Sequence, residues 1–464
     1  METQQESCNM LPRNGRRVIL FPLPFQGHIN PMLQLANILY SKGFSITIVH
    51  TEFNSPNSRK YPHFDFHSFS DGVSEIEAPT EDLPAFLAAL NAKCIVPFRD
   101  CLAKLLMSNT QEDDSFACLI TDSIWHFARA VANDLKLRTL VLQSTSVSAH
   151  LAFSAYPIVR EKGYLPIQDS QLEAPVIELP PLRVKDIPRF KSKDPENLHK
   201  LLSAIDSQLQ ASSGMIWNSF QDLEKVQLTT THEQYYNSIS EFPVGPFHKY
   251  FPASSSSLWS QDQSSISWLE KQAPKSVIYV SFGSVADISE TEFLEIAWGL
   301  ANSMVPFLWV IRPGLVRGAE WLEPLPKGFL KKVDRRGYIV KWAPQQEVLA
   351  HPAVGGFWTH SGWNSTLESI CEGVPMICQP FLSDQMVNAR YVSHVWRIGL
   401  HLEGKLQRKE IERAIRRVMV EATEGHEMRE RILQLKEKVD VCLKKGGSSY
   451  QSLQRLVDHI LSFT

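Results

Sequence analysis

Residues 342–385 read WAPQQEVLAHPAVGGFWTHSGWNSTLESICEGVPMICQPFLSDQ. The apolar run at 356–359 is predicted to be a strand that ends in the turn HSGWNS, and a helix is predicted to follow the turn. The free N–H groups and the positive dipole end of such a helix can hold a diphosphate, and Gly362 lets the backbone approach it closely. Trp342 could stack on a flat base. Together with the acidic side chains and the terminal glutamine amide, these features indicate a nucleotide-sugar site.

Short apolar runs alternate with helix-period segments in both halves of the chain, which is typical of β-α units and parallel sheets. The pattern predicts an α/β protein with two Rossmann-like, doubly wound domains that face each other across a cleft. Strands are predicted at 17–21, 45–50, 116–121, 138–142 and 215–218, and then at 277–281, 307–311, 338–341, 356–359 and 376–378. The predicted helices include 32–41, 290–303, 364–372, 385–395 and a charged amphipathic region at 407–445.

The domain boundaries are predicted from a change in composition. Residues 244–265 contain GPF and Ser-rich segments with little periodicity, which indicates an interdomain linker. The first domain is therefore predicted at 1–243 and the second at 266–445. A GGSS break then precedes one last helix within 446–464.

The composition excludes several classes of protein. The chain has 464 residues and a net charge of -3, without the basic block that a nucleic-acid surface needs. It lacks both a long apolar run and the features of a signal peptide, so membrane insertion is not expected. Seven cysteines without a CxxC pair predict reduced thiols. We therefore expect a cytoplasmic protein with no nucleic-acid partner, whose oligomeric state the sequence does not predict.

Side chains around the predicted diphosphate turn have two interpretations each. Trp342 either stacks on a base or belongs to the core. Glu368 either binds ribose hydroxyls or complements the dipole at the helix start. Asp384 and Gln385 either bind the hydroxyls of a sugar or form a loop and a helix start. A second turn, SFGS at 281–284, also follows a strong strand, so two strand ends are predicted to converge on the same phosphates.

A candidate general base, His28, lies in the motif PFQGHINP at 24–31. The nearby helix N-terminus is expected to disfavour the charged imidazole, which suits a base that works near pH 7. Asp122 ends another predicted strand and could orient that imidazole and stabilise its cation. A lone His with a lone Asp is also compatible with a purely structural pair.

These motifs, with LITD at 119–122 and GGSSY near the end, resemble the plant family-1 UDP-glycosyltransferases over essentially the whole chain. The resemblance implies the GT-B fold, a donor held mostly by the second domain, and a last helix that packs back onto the first domain. It also implies that His28 and Asp122 are the catalytic pair. The donor contacts that it implies are Trp342 and Ala343 to the base, Gln345 and Glu368 to the ribose, Ser284, His360, Asn364 and Ser365 to the diphosphate, and Trp363, Asp384 and Gln385 to the hexose.

Trp363 and the closing Gln385 are similar to the glucose-using members of that family. UDP-glucose is therefore the expected donor, as a co-substrate rather than a cofactor, and an inverted β-glucoside is the expected product. Ser361 stands where the family commonly has Cys, and little effect on the donor is expected. The chain lacks the D-x-D motif of metal-dependent sugar transferases, so we expect helix termini to replace a cation at the diphosphate.

The acceptor is harder to predict because its pocket should come from variable loops of the first domain. The candidate contacts, each of which could equally be packing, are Phe25, Gln26, Phe86, Gln143, Thr145, His150, Phe190 and, reaching across the cleft, Phe381. The stretches HTEFNSPNS, NAKCIVPFRDCL and VREKGYL resemble a subgroup that glucosylates small plant acids, cytokinins and diterpenoids. Defence-related hydroxy acids such as salicylate, isoleucic acid and N-hydroxypipecolate are the first expectation, and a terpenoid or a cytokinin is the alternative. A carboxylate acceptor would need less help from His28, because it is already deprotonated at pH 7.

Two other classes of protein were compared with this interpretation. A non-catalytic nucleotide-sugar or hormone sensor could share the fold. Against a sensor, His28, Asp122 and the whole of residues 342–385, the donor stretch, are intact. A nicotinamide cofactor is not expected, since no GxGxxG motif opens the first predicted helix.

Overall fold

The computed structural model describes residues 15–73, 82–108, 115–251 and 257–463 of the chain. Within these ranges the chain forms two parallel sheets covered by helices, which confirms the predicted α/β class. The first sheet contains β1 (Arg16–Phe21), β2 (Ser45–Thr51), β3 (Asp65–Phe69), β4 (Ser115–Asp122), β5 (Thr139–Gln143), β6 (Met215–Trp217) and β7 (Glu241–Pro243). The second contains β8 (Val277–Ser281), β9 (Phe307–Val310), β10 (Gly337–Val340), β11 (Val354–Thr359), β12 (Met376–Cys378) and β13 (Gly399–His401).

The helices of the first half are α1 (Gln26–Ser41), α2 (Leu83–Ser108), α3 (Ala128–Asp134), α4 (Val147–Ser154), α5 (Tyr156–Glu161), α6 (Pro195–Gln210) and α7 (Gln221–Gln234). Those of the second half are α8 (Ser264–Leu269), α9 (Glu290–Ser303), α10 (Phe329–Val333), α11 (Gln345–Ala350), α12 (Trp363–Glu372), α13 (Gln385–Arg390), α14 (Arg408–Met419), α15 (Ala422–Leu443) and α16 (Ser448–Leu461). No helix in the described part of the chain has the length and apolar character needed to cross a bilayer.

Both sheets place their strands in the doubly wound order. The first runs β3-β2-β1-β4-β5-β6-β7 and the second runs β10-β9-β8-β11-β12-β13. In each sheet the chain reverses its direction of progress between two adjacent strands, β1 and β4 or β8 and β11. Open α/β sheets bind ligands in the crevice beyond the strand ends at this switch point. The topology therefore puts one such crevice on each domain.

The central strands are apolar because both of their faces are covered. All seven residues of β2 are buried, and the last four of β1 are fully buried. Near-continuous apolar runs of this kind are typical of parallel strands under two layers of helices. The sequence pattern locates such strands to within one or two residues, for example β2 against the predicted 45–50.

The sequence pattern misses three of the four edge strands of these sheets and the start of α1. Strands β3, β7 and β13 lie at edges, and three of the five residues of β3 are exposed, so no apolar run marks it. Helix α1 begins at Gln26 instead of the predicted residue 32, because it continues through Pro31. His28 is therefore inside the first turn of the helix rather than in the loop before it.

The last helix packs on the first domain. Leu453, Leu456 and Ile460 of α16 belong to the same buried core as residues of β1 and α1. The Ser449 hydroxyl donates to the carbonyl of Gly245, 2.7 Å away, at the point where the chain leaves the first sheet. The chain thus crosses between the two sheets twice, and the two crossings touch.

Candidate active site

A cavity of about 520 Å³ lies between the carboxyl ends of the two sheets. Turns that follow β1, β4 and β5 form one side of it, and turns that follow β8, β10, β11 and β12 form the other. Every predicted site residue lines this cavity except Asp122, Phe86 and Phe381. The fold therefore gathers side chains that are more than 350 positions apart in the sequence.

His28 lies at the wall of the cavity with its imidazole held from behind. Its Nδ1 is 2.8 Å from Oδ2 of Asp122 and 2.9 Å from the hydroxyl oxygen of Ser144. Asp122 is fully buried, whereas 21% of the His28 side chain is exposed. When Nδ1 carries its proton toward Asp122, Nε2 is left as the nitrogen that can accept a proton.

The electrostatics of His28 differ from the sequence-based expectation. Burial lowers its pKa, but the Asp122 carboxylate, with a smaller contribution from Asp384, outweighs burial, and the net effect raises the pKa. The prediction that the helix N-terminus keeps this imidazole uncharged was wrong in sign, because a carboxylate at 2.8 Å is stronger than the dipole of one helix end. A more basic Nε2 is a better proton acceptor once it is deprotonated.

Pro31 explains a contact between the two domains. In an α-helix the N–H of residue i bonds to the carbonyl of residue i−4, and proline has no N–H. The carbonyl of Gly27 is therefore without its helical donor, and it accepts a hydrogen bond of 2.8 Å from Nδ2 of Asn364, at the start of α12. Asn364 also accepts from Asn218 at 3.3 Å, so it joins the two sides of the cleft next to His28.

The glycines of the two predicted phosphate turns make room for one imidazole. A Cβ at Gly283 would lie 2.6 Å from Nε2 of His360, and a Cβ at Gly362 would lie 2.4 Å from the same atom. Burial lowers the pKa of His360 to about 4, so the ring is neutral at pH 7. Gly362 has an ordinary φ of -60°, so the imidazole, rather than backbone strain, requires glycine there. Ser284 continues the first of these turns into the cavity.

Glu368 is held by the amides of two glutamines. Nε2 of Gln345 lies 2.7 Å from one carboxylate oxygen and 2.9 Å from the Ser365 hydroxyl, and Nε2 of Gln346 lies 3.0 Å from the other carboxylate oxygen. Burial raises the pKa of Glu368, against the lowering effect of these amides. Glu368 is in the second turn of α12, so the interpretation as a helix-start acid was wrong.

Trp342 and Ala343 follow β10 and line the same end of the cavity. The Trp342 ring is half-buried against the second-domain core and has Trp259 stacked beside it, with 6.1 Å between ring centroids and 29° between planes. The Trp342 carbonyl accepts from the Asp262 amide at 2.9 Å. Residues 259–262 therefore support both the Trp342 ring and its carbonyl group.

Trp363 serves as a contact between the domains through its indole. The side chain is buried, and its Nε1 donates to the carbonyl of Asn218 at 2.8 Å. The indole N–H is consequently not available to a hexose. Its backbone N–H, at the first position of α12, has no partner within the helix and remains available.

Asp384 and Gln385 form the far end of the donor stretch. Burial raises the pKa of Asp384 to about 6, against the opposing effects of Asn388 and His28. Nδ2 of Asn388 donates to Oδ2 of Asp384 at 3.0 Å, and its Oδ1 accepts from Ser146 of the first domain at 2.7 Å. The Gln385 carbonyl oxygen accepts from the backbone N–H groups of residues 381 and 382, which leaves its NH2 group to donate.

Among the predicted acceptor contacts, Phe25, Gln143, Thr145, His150 and Phe190 line the cavity. Burial lowers the pKa of His150 to about 4, and its Nε2 lies 3.1 Å from the Tyr236 hydroxyl. The Tyr236 hydroxyl in turn donates to Asp206 at 2.8 Å. This side of the cavity thus has a neutral, internally bonded imidazole.

Three predicted acceptor contacts have other roles. The ring of Phe86 does not line the cavity, and it supports Phe25 at a centroid distance of 6.2 Å. Phe381 does not reach across the cleft, because its ring packs on Phe282 at 5.5 Å beneath the turn after β8. Gln26 lines the cavity, but its side-chain oxygen accepts from the backbone of Leu258 at 2.6 Å and its amide donates to Asn30.

Comparison with known proteins assigns the chain to a family. Residues 254–436 match the family model described as UDP-glucoronosyl and UDP-glucosyl transferase. UDP-glycosyltransferase 76B1 of Arabidopsis thaliana is 53% identical over 446 residues, which cover 96% of this chain and 98% of the relative. The chain belongs to the UDP-glycosyltransferase family. UDP-glycosyltransferase 76G1 of Stevia rebaudiana is 50% identical over 461 residues, covering 97% of this chain and 98% of that protein.

Solved structures agree with this family and with the GT-B fold. Os79 from O. sativa in complex with UDP superposes with a TM-score of 0.81 at 29% identity, over 96% of this chain and all of that one. A UDP-glucosyltransferase from Polygonum tinctorium capable of glucosylating indoxyl gives 0.82 at 27% identity, over 98% of this chain and all of that one. The chain is thus an enzyme that uses a UDP-sugar donor, a UDP-glycosyltransferase.

Sequence reasoning overlooked several residues of this UDP-glycosyltransferase. Helix α6 lines the cavity with Leu198, Leu201, Leu202 and Ile205. The signal was present, since Asp194 caps the helix and Pro195 occupies its first turn ahead of the apolar period.

Ser144 and Asn388 were overlooked for a different reason. Ser144 contacts the catalytic candidate His28, and Asn388 joins Asp384 to the first domain. A serine after a strand and an asparagine inside a helix have no distinguishing pattern in the sequence. Their importance depends on pairs of residues that are 116 and 242 positions apart.

Proposed function

We propose that this UDP-glycosyltransferase transfers glucose from UDP-glucose, with inversion, to a hydroxyl or carboxyl group of a small lipophilic plant metabolite. The observation that carries the proposal is the position of His28. Its imidazole, backed by buried Asp122, lines the same cavity as the turns after β8 and β11. A base and a donor site in one cavity are what a direct displacement requires.

In the proposed reaction Nε2 of His28 takes the proton of an acceptor hydroxyl. The hydroxyl oxygen forms a bond to the anomeric carbon while the bond from that carbon to the UDP oxygen breaks, and UDP leaves with the bonding electrons. Asp122 stabilises the imidazolium that forms, and Ser144 helps to hold the ring. Attack from the face opposite UDP gives the inverted β-glucoside.

The proposed donor contacts lie within residues 342–385, apart from Ser284 in the turn after β8. Trp342 and Ala343 receive the base, and Gln345 with Glu368 receives the ribose. The amino end of α12 and the side chains of Ser284, His360, Asn364 and Ser365 receive the diphosphate. The backbone of Trp363, the Asp384 carboxylate and the free amide of Gln385 receive the hexose, for which glucose is proposed.

We propose that the transfer needs no metal ion. The helix amino end and the neutral donors of the two turns support this proposal, as does the lack of a D-x-D motif in the sequence. EDTA is expected to leave the rate of UDP release unchanged. Inhibition by EDTA that added magnesium reverses would contradict it.

A cytoplasmic location is also proposed. It is supported by the free thiols of the six cysteines in the described ranges, five of which are buried. Microscopy of a fluorescent fusion in plant cells checks it, and a signal confined to a secretory compartment would contradict it.

Two acceptor classes enter the proposal. Hydroxy acids such as salicylate, isoleucic acid and N-hydroxypipecolate are charged at pH 7, whereas cytokinins and terpenoid alcohols carry no carboxylate. Apolar side chains such as Phe25, Phe190 and Leu202 around the acceptor side support a lipophilic molecule of either class.

The proposal is tested by mixing purified protein with UDP-glucose and an acceptor panel that contains both classes. We expect UDP release together with a glucose mass increment on at least one acceptor. Binding of UDP-glucose without turnover across the whole panel would favour the alternative, a non-catalytic sensor.

A further inference from the structure

We infer that the acceptor enters the cavity as an uncharged molecule and that the side-chain amide of Gln143 binds one of its oxygen atoms. The inference rests on the proposed function, because it concerns the acceptor side of the same cavity. Of the two acceptor classes, it favours the cytokinins and terpenoid alcohols, which carry no carboxylate, over the hydroxy acids.

Within the described part of the chain, the cavity offers no fixed cation to an acidic acceptor. Among the residues that the structure describes, no Lys or Arg lines it, whereas Asp206 on α6 does. The internal stretches outside the described ranges, 74–81, 109–114 and 252–256, contain no Lys or Arg either. A bound carboxylate would therefore lose its hydration without gaining an ion pair.

The imidazoles around the cavity do not replace the missing cation. His150 and His360 are neutral at pH 7, since burial lowers the pKa of each to about 4. His28 can carry a proton, but Asp122 already neutralises that charge at 2.8 Å. The remaining imidazole, His199, lies on α6 three residues after Glu196, the carboxylate with which it interacts.

Helix amino ends can bind anions without Lys or Arg, but those of α2 and α4, which begin beside the cavity, are already filled. At the start of α2, whose first residue Leu83 lines the cavity, the Ala85 N–H donates to the Asp82 carboxylate at 3.1 Å. At the start of α4, the N–H groups of Val147 and Ser148 donate to the fully buried carboxylate of Glu224 at 3.0 and 2.9 Å. Glu224 thus occupies the position that the carboxylate of a ligand would take. The amino end of α1 faces the donor side, as the contact of Gly27 with Asn364 indicates.

Gln143 supplies the contact that a neutral acceptor needs. It ends β5, lines the cavity and is 3% exposed, and its Nε2 has no hydrogen-bond partner among the described residues. A buried amide donor without a partner costs free energy that a ligand oxygen can recover. Gln143 and His28 line the same cavity, and the residue after Gln143, Ser144, contacts the His28 imidazole.

The inference is tested with two acceptors of the same shape, 4-hydroxybenzamide and 4-hydroxybenzoate. With UDP-glucose at pH 7.5, kcat/KM for ether glucoside formation is expected to be about tenfold or more higher for the amide. The ratio of the acid to the amide is expected to rise as the pH falls toward the pKa of the benzoate, because the protonated acid is uncharged. The ionisation of His28 affects both acceptors and cancels in this ratio.

Variants locate the effect at Gln143. Gln143→Leu is expected to lower kcat/KM for the amide about tenfold, mainly through KM, and Gln143→Lys is expected to shift the preference toward the acid. The control is Gln208→Leu, which removes another buried amide without a partner from α6, at a position that does not line the cavity. Thermal melting shows whether each variant is folded.

The outcomes separate this inference from the proposed function. Equal or faster use of the benzoate, or a Gln143→Leu variant that matches Gln208→Leu, would overturn the inference while transfer from UDP-glucose still stands. UDP binding with transfer to neither acceptor would overturn it as well. A protein that neither binds UDP nor releases it from UDP-glucose would overturn the proposed function.

Discussion

The two sides of the cleft are built on different principles. On the donor side, polar side chains hydrogen-bond to one another, as the amides of Gln345 and Gln346 do to Glu368. On the acceptor side, half of the α6 residues that line the cavity are leucine or isoleucine, and Nε2 of Gln143 has no hydrogen-bond partner among the described residues. Sites made of hydrogen bonds reject analogues much more strongly than apolar surfaces do. We therefore expect narrow choice of donor and broad choice of acceptor.

The largest expected effect comes from removing the base, which belongs to neither recognition surface. His28→Ala is expected to lower kcat for a hydroxyl acceptor by roughly 10²–10⁴-fold, since general-base catalysis contributes about that much. UDP affinity, measured by calorimetry, should stay near the wild-type value. His126→Ala is the control, because this half-buried histidine does not line the cavity. Wild-type turnover by His28→Ala would refute the catalytic role.

The next effect concerns the pH at which that base works. Asp122 raises the pKa of His28, so kcat/KM is expected to fall as the pH drops through that raised pKa and the imidazole becomes protonated. Asp122→Asn is expected to lower kcat roughly tenfold or more and to move this acidic limb to lower pH, because the carboxylate no longer favours the cation. An acidic limb that moves to higher pH would contradict the account.

A methyl group on the donor side is expected to have the third largest effect. Gly362→Ala puts a carbon 2.4 Å from Nε2 of His360, and overpacking of this kind costs about 1–3 kcal/mol. UDP affinity should fall roughly fivefold to a hundredfold in calorimetry. Gly404→Ala is the control. It strains the backbone, where φ is +78°, but the added carbon meets no atom within 4 Å and the position does not line the cavity. Equal UDP affinity of the two variants would contradict the steric role of His360.

Shortening a side chain on the acceptor side is expected to have a smaller effect. Leu202→Ala removes side-chain atoms from the cavity wall on α6 and should change kcat/KM by about tenfold or less, by a factor that differs between acceptors. The KM for UDP-glucose should not change. If Leu202→Ala changed the donor KM as strongly as Gly362→Ala, the two sides would not be independent.

The smallest effect is expected from ion pairs that join the two domains outside the cavity. Glu403 of the second domain bonds Arg183 at 2.7 Å and Lys185 at 2.5 Å, and although burial raises its pKa, these cations lower it to about 2. Exposed pairs contribute about 1 kcal/mol or less, so Glu403→Gln should change kcat/KM by about fivefold at most. The effect should shrink in high salt. Glu427→Gln, which breaks an exposed pair within the second domain, is the control.

The difference between the donor and acceptor sides also explains which parts of the fold and of the site can be predicted from the sequence. Donor residues lie within 342–385 and in one further turn, so their order and spacing can be read directly from the chain. Buried strands such as β2 are predicted because both faces are apolar, whereas the exposed edge strand β3 is not. The roles of the donor residues remain predictions that rest on this pattern and on the family.

Other features depend on contacts that no local pattern contains. The sign of the His28 pKa shift follows from the distance to Asp122, which lies 94 residues away in the sequence. The use of the Gly27 carbonyl by Asn364 follows from Pro31 and from the meeting of two domains. Phe381 was predicted to reach across the cleft, but its partly buried ring packs against the core of the second domain, beside Phe282.

The double crossing of the chain affects how the enzyme would respond to proteolysis. A protease that cuts between residues 244 and 263 would split the chain into two fragments. The second fragment would still keep α16 embedded in the core of the first domain, through Leu453, Leu456 and Ile460. The nicked protein should therefore stay assembled as a two-fragment complex, in which the last helix serves as a non-covalent anchor between the pieces.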